Sequence, residues 1–169
     1  MKKATLYIIL AGFLAISGCN SVISRDIRES AQPITGFLEV RQNPDQYIGQ
    51  TIIIGGTIVS TLNHENKSTT LAVLAYPLDR SGWPKTEEIN QGRFMVNSKD
   101  FLDPALYSSG RKVTVAGVVR GTEYAPVGNT QYRYVVVESR QIYLWPLEEF
   151  YYYYPDYPYS YHHRYYWWP

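Results

Sequence analysis

Apolar and polar residues alternate along the middle of the chain, between residues 37 and 147, with the period of two that predicts β-strands. The pattern occurs twice in nearly the same form. A proline-containing turn ends at a tyrosine, a glycine follows, and apolar residues or glycine then occupy alternate positions. These positions are Ile52, Ile54, Gly56 and Ile58 after Gly49, and Val113, Val115, Gly117 and Val119 after Gly110. Two copies are too few for a solenoid, and they predict a small barrel with internal pseudo-symmetry.

The glycine in the middle of each repeated strand, Gly56 or Gly117, lies on the apolar side of that strand. Glycine weakens a strand and often marks a bulge, a barrel bend or a close approach of another backbone. We therefore expect these two strands to coil tightly around a small barrel. A flat strand that merely tolerates glycine is the alternative.

Three further strands are predicted over residues 69–78, 92–97 and 131–137, the last of which continues to residue 145. Residues 121–130 contain Pro126 and Gly128, which predicts a hairpin loop, and residues 98–107 have room for a helical turn. Five strands with a helical piece between the third and the fourth is the order of the OB-fold, a five-stranded Greek-key barrel. The predicted fold class is therefore an all-β, OB-fold-like barrel over residues 37–147, with a small β-sandwich as the alternative.

The first eighteen residues have the features of a secretory signal peptide. Lys2 and Lys3 form a basic head, and residues 4–16 are an apolar run interrupted only by Gly12. This run is shorter than the roughly 20 residues that a membrane-spanning helix needs. The polar residues that follow show no clear period, so residues 19–36 are predicted to be a tether ahead of the barrel.

The single cysteine of the chain, Cys19, closes this segment, and one cysteine excludes an internal disulfide framework. The sequence Ile16, Ser17, Gly18, Cys19 resembles the lipobox of bacterial lipoproteins, in which the cysteine thiol is acylated and the chain is cut just before it. The resemblance implies a membrane anchor formed by covalent lipid on Cys19. Asn20, rather than aspartate, as the second mature residue implies transport to the outer membrane. A signal peptide that ends in a free cysteine is the alternative.

Charge and composition exclude several other classes of protein. The chain has 16 basic and 15 acidic residues, and loss of Lys2 and Lys3 leaves the mature chain one unit negative. A strongly basic nucleic-acid-binding protein and an acidic disordered chain are both excluded. We find no catalytic constellation, no phosphate-binding glycine loop and no convincing metal site among His64, His162 and His163. The sequence therefore predicts no enzymatic activity and no cofactor beyond the covalent lipid.

The C-terminal tail, residues 148–169, is dominated by aromatic residues. Twelve of the last twenty residues are aromatic, nine of them tyrosines, and three prolines prevent a regular helix. Three interpretations remain open: a flexible tail, a contact with the membrane interface, or a surface that binds cell-wall glycan or another envelope protein. The candidate binding residues are Tyr151, Tyr152, Tyr153, Tyr154, Tyr165, Tyr166, Trp167 and Trp168.

Several short motifs together resemble the Slp family of starvation-inducible outer-membrane lipoproteins of Gram-negative bacteria. They occupy residues 43–56 (NPDQYIGQTIIIGG), 77–79, 91–93, 101–104, 115–121 (VAGVVRG) and 143–145. The resemblance implies an outer-membrane location, with the domain on the periplasmic side, and a non-enzymatic role in envelope structure or protection. A module that binds peptidoglycan or another envelope protein, through the barrel face or the tail, is the alternative. No nucleic-acid partner is expected.

Overall fold

The computed structural model describes residues 21–147. Five strands, two short α-helices and one 3-10 helix make up the regular structure of this part of the chain. In chain order they are α1 (Arg25–Ser30), α2 (Phe37–Gln42), the 3-10 helix (Pro44–Tyr47), β1 (Thr51–Asn63), β2 (Thr69–Tyr76), β3 (Gly92–Ser98), β4 (Lys112–Val127) and β5 (Thr130–Leu144).

The five strands close into a barrel in the order β1-β2-β3-β5-β4, with β4 returning to β1. Neighbouring strands are antiparallel except β3 and β5, which run parallel. This arrangement of a five-stranded barrel confirms the OB-fold-like prediction, whereas a sandwich would leave two separate sheets.

The two sequence repeats pair with each other about a local twofold axis. Ile54 lies opposite Val115 at the centre of the β1–β4 ladder. The amide of Gly49 donates to the carbonyl of Val119 at 2.9 Å, and the amide of Gly110 donates to the carbonyl of Ile58 at 2.9 Å. Ile58 lies nine residues after Gly49, and Val119 lies nine residues after Gly110. The two hydrogen bonds therefore join equivalent positions of the two repeats and are related by the twofold axis.

The central glycines of the repeats allow other strands to approach closely, as the sequence predicts. A Cβ atom at Gly56 would lie 1.9 Å from the carbonyl oxygen of Leu74 on β2. A Cβ atom at Gly117 would lie 2.5 Å from the carbonyl oxygen of Glu138 on β5. Real Cβ atoms do not approach backbone this closely, so any larger residue forces the strands apart.

The interior of the barrel is filled by the inward side chains of all five strands, and α2 adds to it from outside the strands. Phe94 on β3 and Phe37 on α2 are both almost fully buried, with ring centroids 5.2 Å apart. The backbone amide of Phe37 donates to the side-chain oxygen of Gln91 at 2.7 Å, which holds the start of α2 next to β3. Tyr47 ends the first repeated turn, and its hydroxyl donates a hydrogen bond to the Glu39 carboxylate on α2.

The prediction of a hairpin loop over residues 121–130 is wrong. β4 continues to Val127, and only a tight turn at Gly128, with a φ of 58°, separates it from β5. The two strands pair without interruption from Gly121↔Val136 to Val127↔Thr130. Pro126 is tolerated because this end of β4 pairs only with β5, and its other edge needs no ladder hydrogen bond. We call residues 121–136 the hairpin arm.

The segment expected to be a tether differs from a free linker in its described part. It contains α1, and Ile23 and Ile27 are buried against Ala116 on the outside of the barrel. Ile27 is the buried residue of α1, whereas Ile23 lies just before the N-cap Ser24, so the segment docks through the helix and through the residues that lead into it. Six helical residues are too few to show a convincing period in the sequence.

The helical turn expected between the third and fourth strands is reduced to one hydrogen-bonded turn, in which the amide of Tyr107 donates to the carbonyl of Asp103 at 2.9 Å. None of the helices within residues 21–147 has the length and apolar character needed to cross a bilayer. The predicted signal peptide over residues 1–18, the lipobox with Cys19, and the tail over residues 148–169 lie outside the described residues.

Candidate functional site

An open groove of about 760 Å³ crosses the outer surface of β2 and β3. The β1–β2 turn forms one wall and the hairpin arm forms the other. Its lining includes Leu62, His64, Asn66, Ser68, Thr70, Met95, Asn97, Lys99, Arg120, Glu123, Ala125, Val136 and Glu138. The outer surface of the second and third strands is where OB-folds hold oligonucleotides and oligosaccharides, so the groove is the first candidate for a binding site.

Polar side chains on the β1–β2 side of the groove are linked by hydrogen bonds. The Thr70 hydroxyl donates to Oδ1 of Asn97 at 2.9 Å, and Nε2 of His64 lies 2.9 Å from the same hydroxyl oxygen. Because the Thr70 hydrogen is directed at Asn97, His64 is the donor in the second contact. The hydroxyl and amide of Ser68 both donate to Oδ1 of Asn66, which shapes the turn above.

Charges on the opposite side of the groove neutralise one another. Glu138 accepts hydrogen bonds from Nζ of Lys99 at 2.8 Å and from Nε of Arg120 at 2.7 Å. The hydrogen bond from Lys99, followed by that from Arg120, lowers the pKa of the Glu138 carboxyl below its usual value. With Glu123 included, the four charged residues lining the groove carry no net charge.

The chemistry of the groove differs from that of a single-stranded nucleic-acid site. Such a site combines a positively charged channel with aromatic rings for base stacking, whereas the residues lining this groove include no phenylalanine, tyrosine or tryptophan. Phe94, which the sequence places on the third strand, is fully buried in the barrel. The apolar part of the groove comes from aliphatic side chains and Met95, beside neutral amides and hydroxyls. These groups suit an uncharged polar ligand.

A second feature, which we call the aromatic face, lies on the outside of the barrel at the other end of β5. It consists of Trp83, Lys112, Tyr143 and Trp145. The rings of Trp83 and Trp145 pack edge to face with their centroids 4.7 Å apart, and the rings of Tyr143 and Trp145 do so with their centroids 4.8 Å apart. The Lys112 ammonium lies 4.2 Å from the Trp83 ring centroid, which is a cation–π contact.

The Trp145 indole nitrogen is anchored in the aromatic face. It donates to the hydroxyl of the buried Thr114 at 2.9 Å, and that hydroxyl donates to the carbonyl of Gly82 at 2.6 Å. The sequence predicts the strand that carries Tyr143 and Trp145. The sequence does not indicate that Trp83, about sixty residues before Tyr143, packs against these two rings.

The structure brings few of the sequence-predicted candidates together. His64 lies exposed at the groove, and within residues 21–147 no three histidine, cysteine or acidic side chains are grouped as metal ligands. The groove residues could not be singled out in the sequence, because outward polar positions on a strand look alike whether they bind a ligand or only water.

Comparison with known proteins gives one family. A model described as "Outer membrane lipoprotein Slp family" matches residues 16–169. "Uncharacterized lipoprotein YeaY" of Escherichia coli K12 is 32% identical over 151 residues, which are 88% of this chain and 77% of that protein. "Outer membrane protein Slp" of the same organism is 30% identical over 151 residues, covering 88% and 78% respectively.

Solved structures also show similarity. The mitochondrial single-stranded DNA-binding protein Rim1 of S. cerevisiae is 13% identical with a TM-score of 0.34, over 56% of this chain and 92% of that one. A small single-stranded DNA-binding protein of Streptomyces coelicolor is 17% identical with a TM-score of 0.33, over 56% and 92%. At these values we transfer no function from either protein.

Proposed function

The chain belongs to the outer membrane lipoprotein Slp family and is an outer-membrane lipoprotein, and from this premise we propose that it has a non-enzymatic role in envelope structure or protection during starvation and stress. In this proposal, acyl chains on Cys19 hold the mature chain, residues 19–169, in the outer membrane. The barrel then lies on the periplasmic side of the bilayer. Each buried methylene adds about 0.8 kcal/mol of membrane binding, so several acyl chains anchor the protein without electrostatic attraction.

The filled interior of the barrel is the observation that supports a non-enzymatic role. The inward positions along β1 and β4 carry Ile52, Ile54, Ile58, Val113, Val115 and Val119, all 3% exposed or less. Where charged groups meet in the described part of the chain, as Lys99 and Arg120 meet Glu138, they are at the surface and paired. This arrangement suits a stable scaffold better than a reaction chamber.

A deletion strain of the source bacterium tests the protective role. We expect lower survival than the parent during prolonged carbon starvation and on exposure to bile-salt detergent. The wild-type protein should restore survival, while Cys19→Ala should leave the outer-membrane fraction and fail to restore it. Equal survival of the deletion and parent strains under both conditions would contradict the protective role. An intact mass without acyl chains would contradict the anchor at Cys19.

The groove supports a second candidate function, that of a module that binds uncharged stretches of cell-wall glycan. Its charges cancel, and Thr70, Asn97 and Ser68 offer hydroxyl and amide groups of the kind that bind sugar hydroxyls. Glycan strands freed of their peptides should shift the NMR signals of these residues. Thr70→Val with Asn97→Leu should weaken binding about tenfold, the cost of losing one or two hydrogen bonds. Glu87→Ala, which lies outside the groove lining, is the matched control.

The aromatic tail provides a separate route to binding and needs its own test. In a lipid-free variant, deletion of residues 150–169 should abolish co-sedimentation with vesicles if the tail contacts membranes, or with purified peptidoglycan if it contacts glycan. Failure of the intact lipid-free protein to sediment with either would rule out both of these roles for the tail.

A further inference from the structure

The two ends of the described chain meet on one surface of the barrel, beside the aromatic face. At the N-terminal end, the amide of Val22 donates to the carbonyl of Ser81 at 3.3 Å. The side-chain amide of Gln141 donates to the carbonyl of Val22 at 3.1 Å. At the C-terminal end, the amide of Trp145 donates to the carbonyl of Lys112 at 3.0 Å.

Gly82 and Thr114 join these two ends. A Cβ atom on Gly82 would lie 3.2 Å from a methyl group of Val22 and 3.5 Å from the methyl group of Thr114. Thr114 in turn accepts the hydrogen bond from the Trp145 indole at 2.9 Å. The first and last described segments are therefore separated by little more than one side chain.

The docking of the N-terminal segment leaves little chain between the barrel and the proposed lipid site. Val22 is fixed to the barrel, and only Asn20 and Ser21 lie between it and Cys19. Because an extended chain spans at most about 3.6 Å per residue, the Cα atom of Cys19 can be no more than about 11 Å from the Cα atom of Val22. The headgroup layer on each side of a bilayer is only about 5–8 Å thick. The short connection therefore allows the aromatic face to reach the headgroups.

The side chains of the aromatic face suit that depth. Tryptophan and tyrosine favour the membrane interface, because each combines a large apolar ring with a polar group. Lys112 adds a positive charge beside Trp83, and Leu147, which is 70% exposed, adds an apolar side chain next to Trp145. The nearby Asp79 carboxylate is turned back into its own loop, where it accepts hydrogen bonds from Ser81 and from the amide of Trp83.

We propose that the aromatic face docks on the phospholipid headgroups of the leaflet that holds the acyl chains, so that the barrel has one fixed orientation on the membrane. This inference rests on the proposed attachment at Cys19. On β4 the aromatic face uses the first residue, Lys112, whereas the groove uses residues 120–125, and on β5 the face uses Tyr143, whereas the groove uses residues 136–138. The groove and the aromatic face therefore lie toward opposite ends of β4 and β5, so the groove points away from the bilayer and stays open to the aqueous compartment.

Fluorescent labels on two exposed positions test the orientation. Arg80→Cys lies next to the aromatic face and Asn66→Cys lies at the groove, and acylation of Cys19 leaves the new thiol as the only one available for an NBD label. The full-length acylated protein is reconstituted into phosphatidylethanolamine–phosphatidylglycerol vesicles, with or without lipids that carry a nitroxide near the headgroup. We expect the nitroxide to quench the label at residue 80 about twofold and the label at residue 66 by no more than about 10%, because only the first lies at the interface.

Equal quenching at the two positions, or none at either, would overturn the fixed orientation while leaving the lipid anchor intact. An intact mass without acyl chains on Cys19 would overturn both proposals, because the distance argument begins at that residue. As an independent measurement, Lys112→Glu should lower quenching at residue 80 in vesicles containing phosphatidylglycerol. An unchanged value would contradict the part of the proposal that assigns Lys112 to the headgroups.

Discussion

Replacement of Gly56 by alanine tests the claim that the repeated glycines set how closely the strands coil. The added methyl group would lie 1.9 Å from the carbonyl oxygen and 2.7 Å from the carbonyl carbon of Leu74. Both atoms belong to the backbone of β2, so no side-chain rotation relieves the overlap. The strands can accept the methyl group only by moving apart, at the point where Gly56 pairs with Ala75.

The expected cost combines three terms. Overpacking of a tight interior costs about 1–3 kcal/mol, and weakening of two ladder hydrogen bonds costs about 1 kcal/mol each. Alanine also restricts the unfolded chain, which offsets the loss by about 0.4–1 kcal/mol. We therefore expect the free energy of unfolding to fall by about 3 kcal/mol, which corresponds to a melting temperature lower by about 10 °C for a domain of this size.

Urea unfolding of the lipid-free mature chain, followed by circular dichroism, measures this change. Gly117→Ala should be destabilising for the same reason, since its methyl group would lie 2.5 Å from the carbonyl oxygen of Glu138. Gly110→Ala is the control: its φ is 89° and nothing lies within 4 Å of the added atom, so it costs only the backbone strain of about 1–2 kcal/mol. The reasoning fails if Gly56→Ala is no more destabilising than Gly110→Ala.

Other substitutions test the rest of the structure. Phe94→Ala should lower the free energy of unfolding by about 3–5 kcal/mol in urea, because it empties the centre of the barrel; a loss below 1 kcal/mol would contradict the packing. The lowered pKa of Glu138 means that its ion pairs stabilise the fold above about pH 4.5 and are lost as the pH falls. Glu138→Gln should therefore flatten the fall of the urea midpoint between pH 6 and pH 3, and an unchanged slope would refute this. The hydrogen bond from Tyr47 lowers the pKa of Glu39, so Tyr47→Phe should raise that pKa in an NMR titration, while no change would count against the contact. Ile27→Asp should release α1 and speed proteolysis before residue 36 about tenfold; equal rates would show that α1 is not held by this side chain.

The strands could be predicted because burial on one side of a strand leaves a period of two in the sequence. Ile52 to Ile58 and Val113 to Val119 follow it closely, and the repeat even indicated that the two strands are related by symmetry. Sequence alone did not show which strands close the ring. The parallel pairing of β3 with β5 joins residues about forty apart, and no local pattern records such a contact.

The errors have physical causes. The hairpin arm was predicted to be a loop because proline and glycine usually end strands, yet Pro126 lies where one edge of β4 has no neighbour. Helix α1 leaves no helical period in the sequence because it has six residues and buries only Ile27. The aromatic face brings Trp83 from one loop against Trp145 at the end of the last strand, and the groove collects outward side chains from separate strands. Both depend on tertiary contacts rather than on local sequence.

The position of β5 as the partner of both β3 and β4 has a consequence for how the newly made protein matures. Everything before residue 130 can form only an incomplete ring, with two unpaired edges that invite association with other chains. Because polypeptides emerge with the N-terminus first, the ring closes only once residues near 144 have become available. Any factor that shields the nascent chain must act until that last strand arrives, and a nonsense mutation shortly before it should yield an aggregating product rather than a smaller functional one.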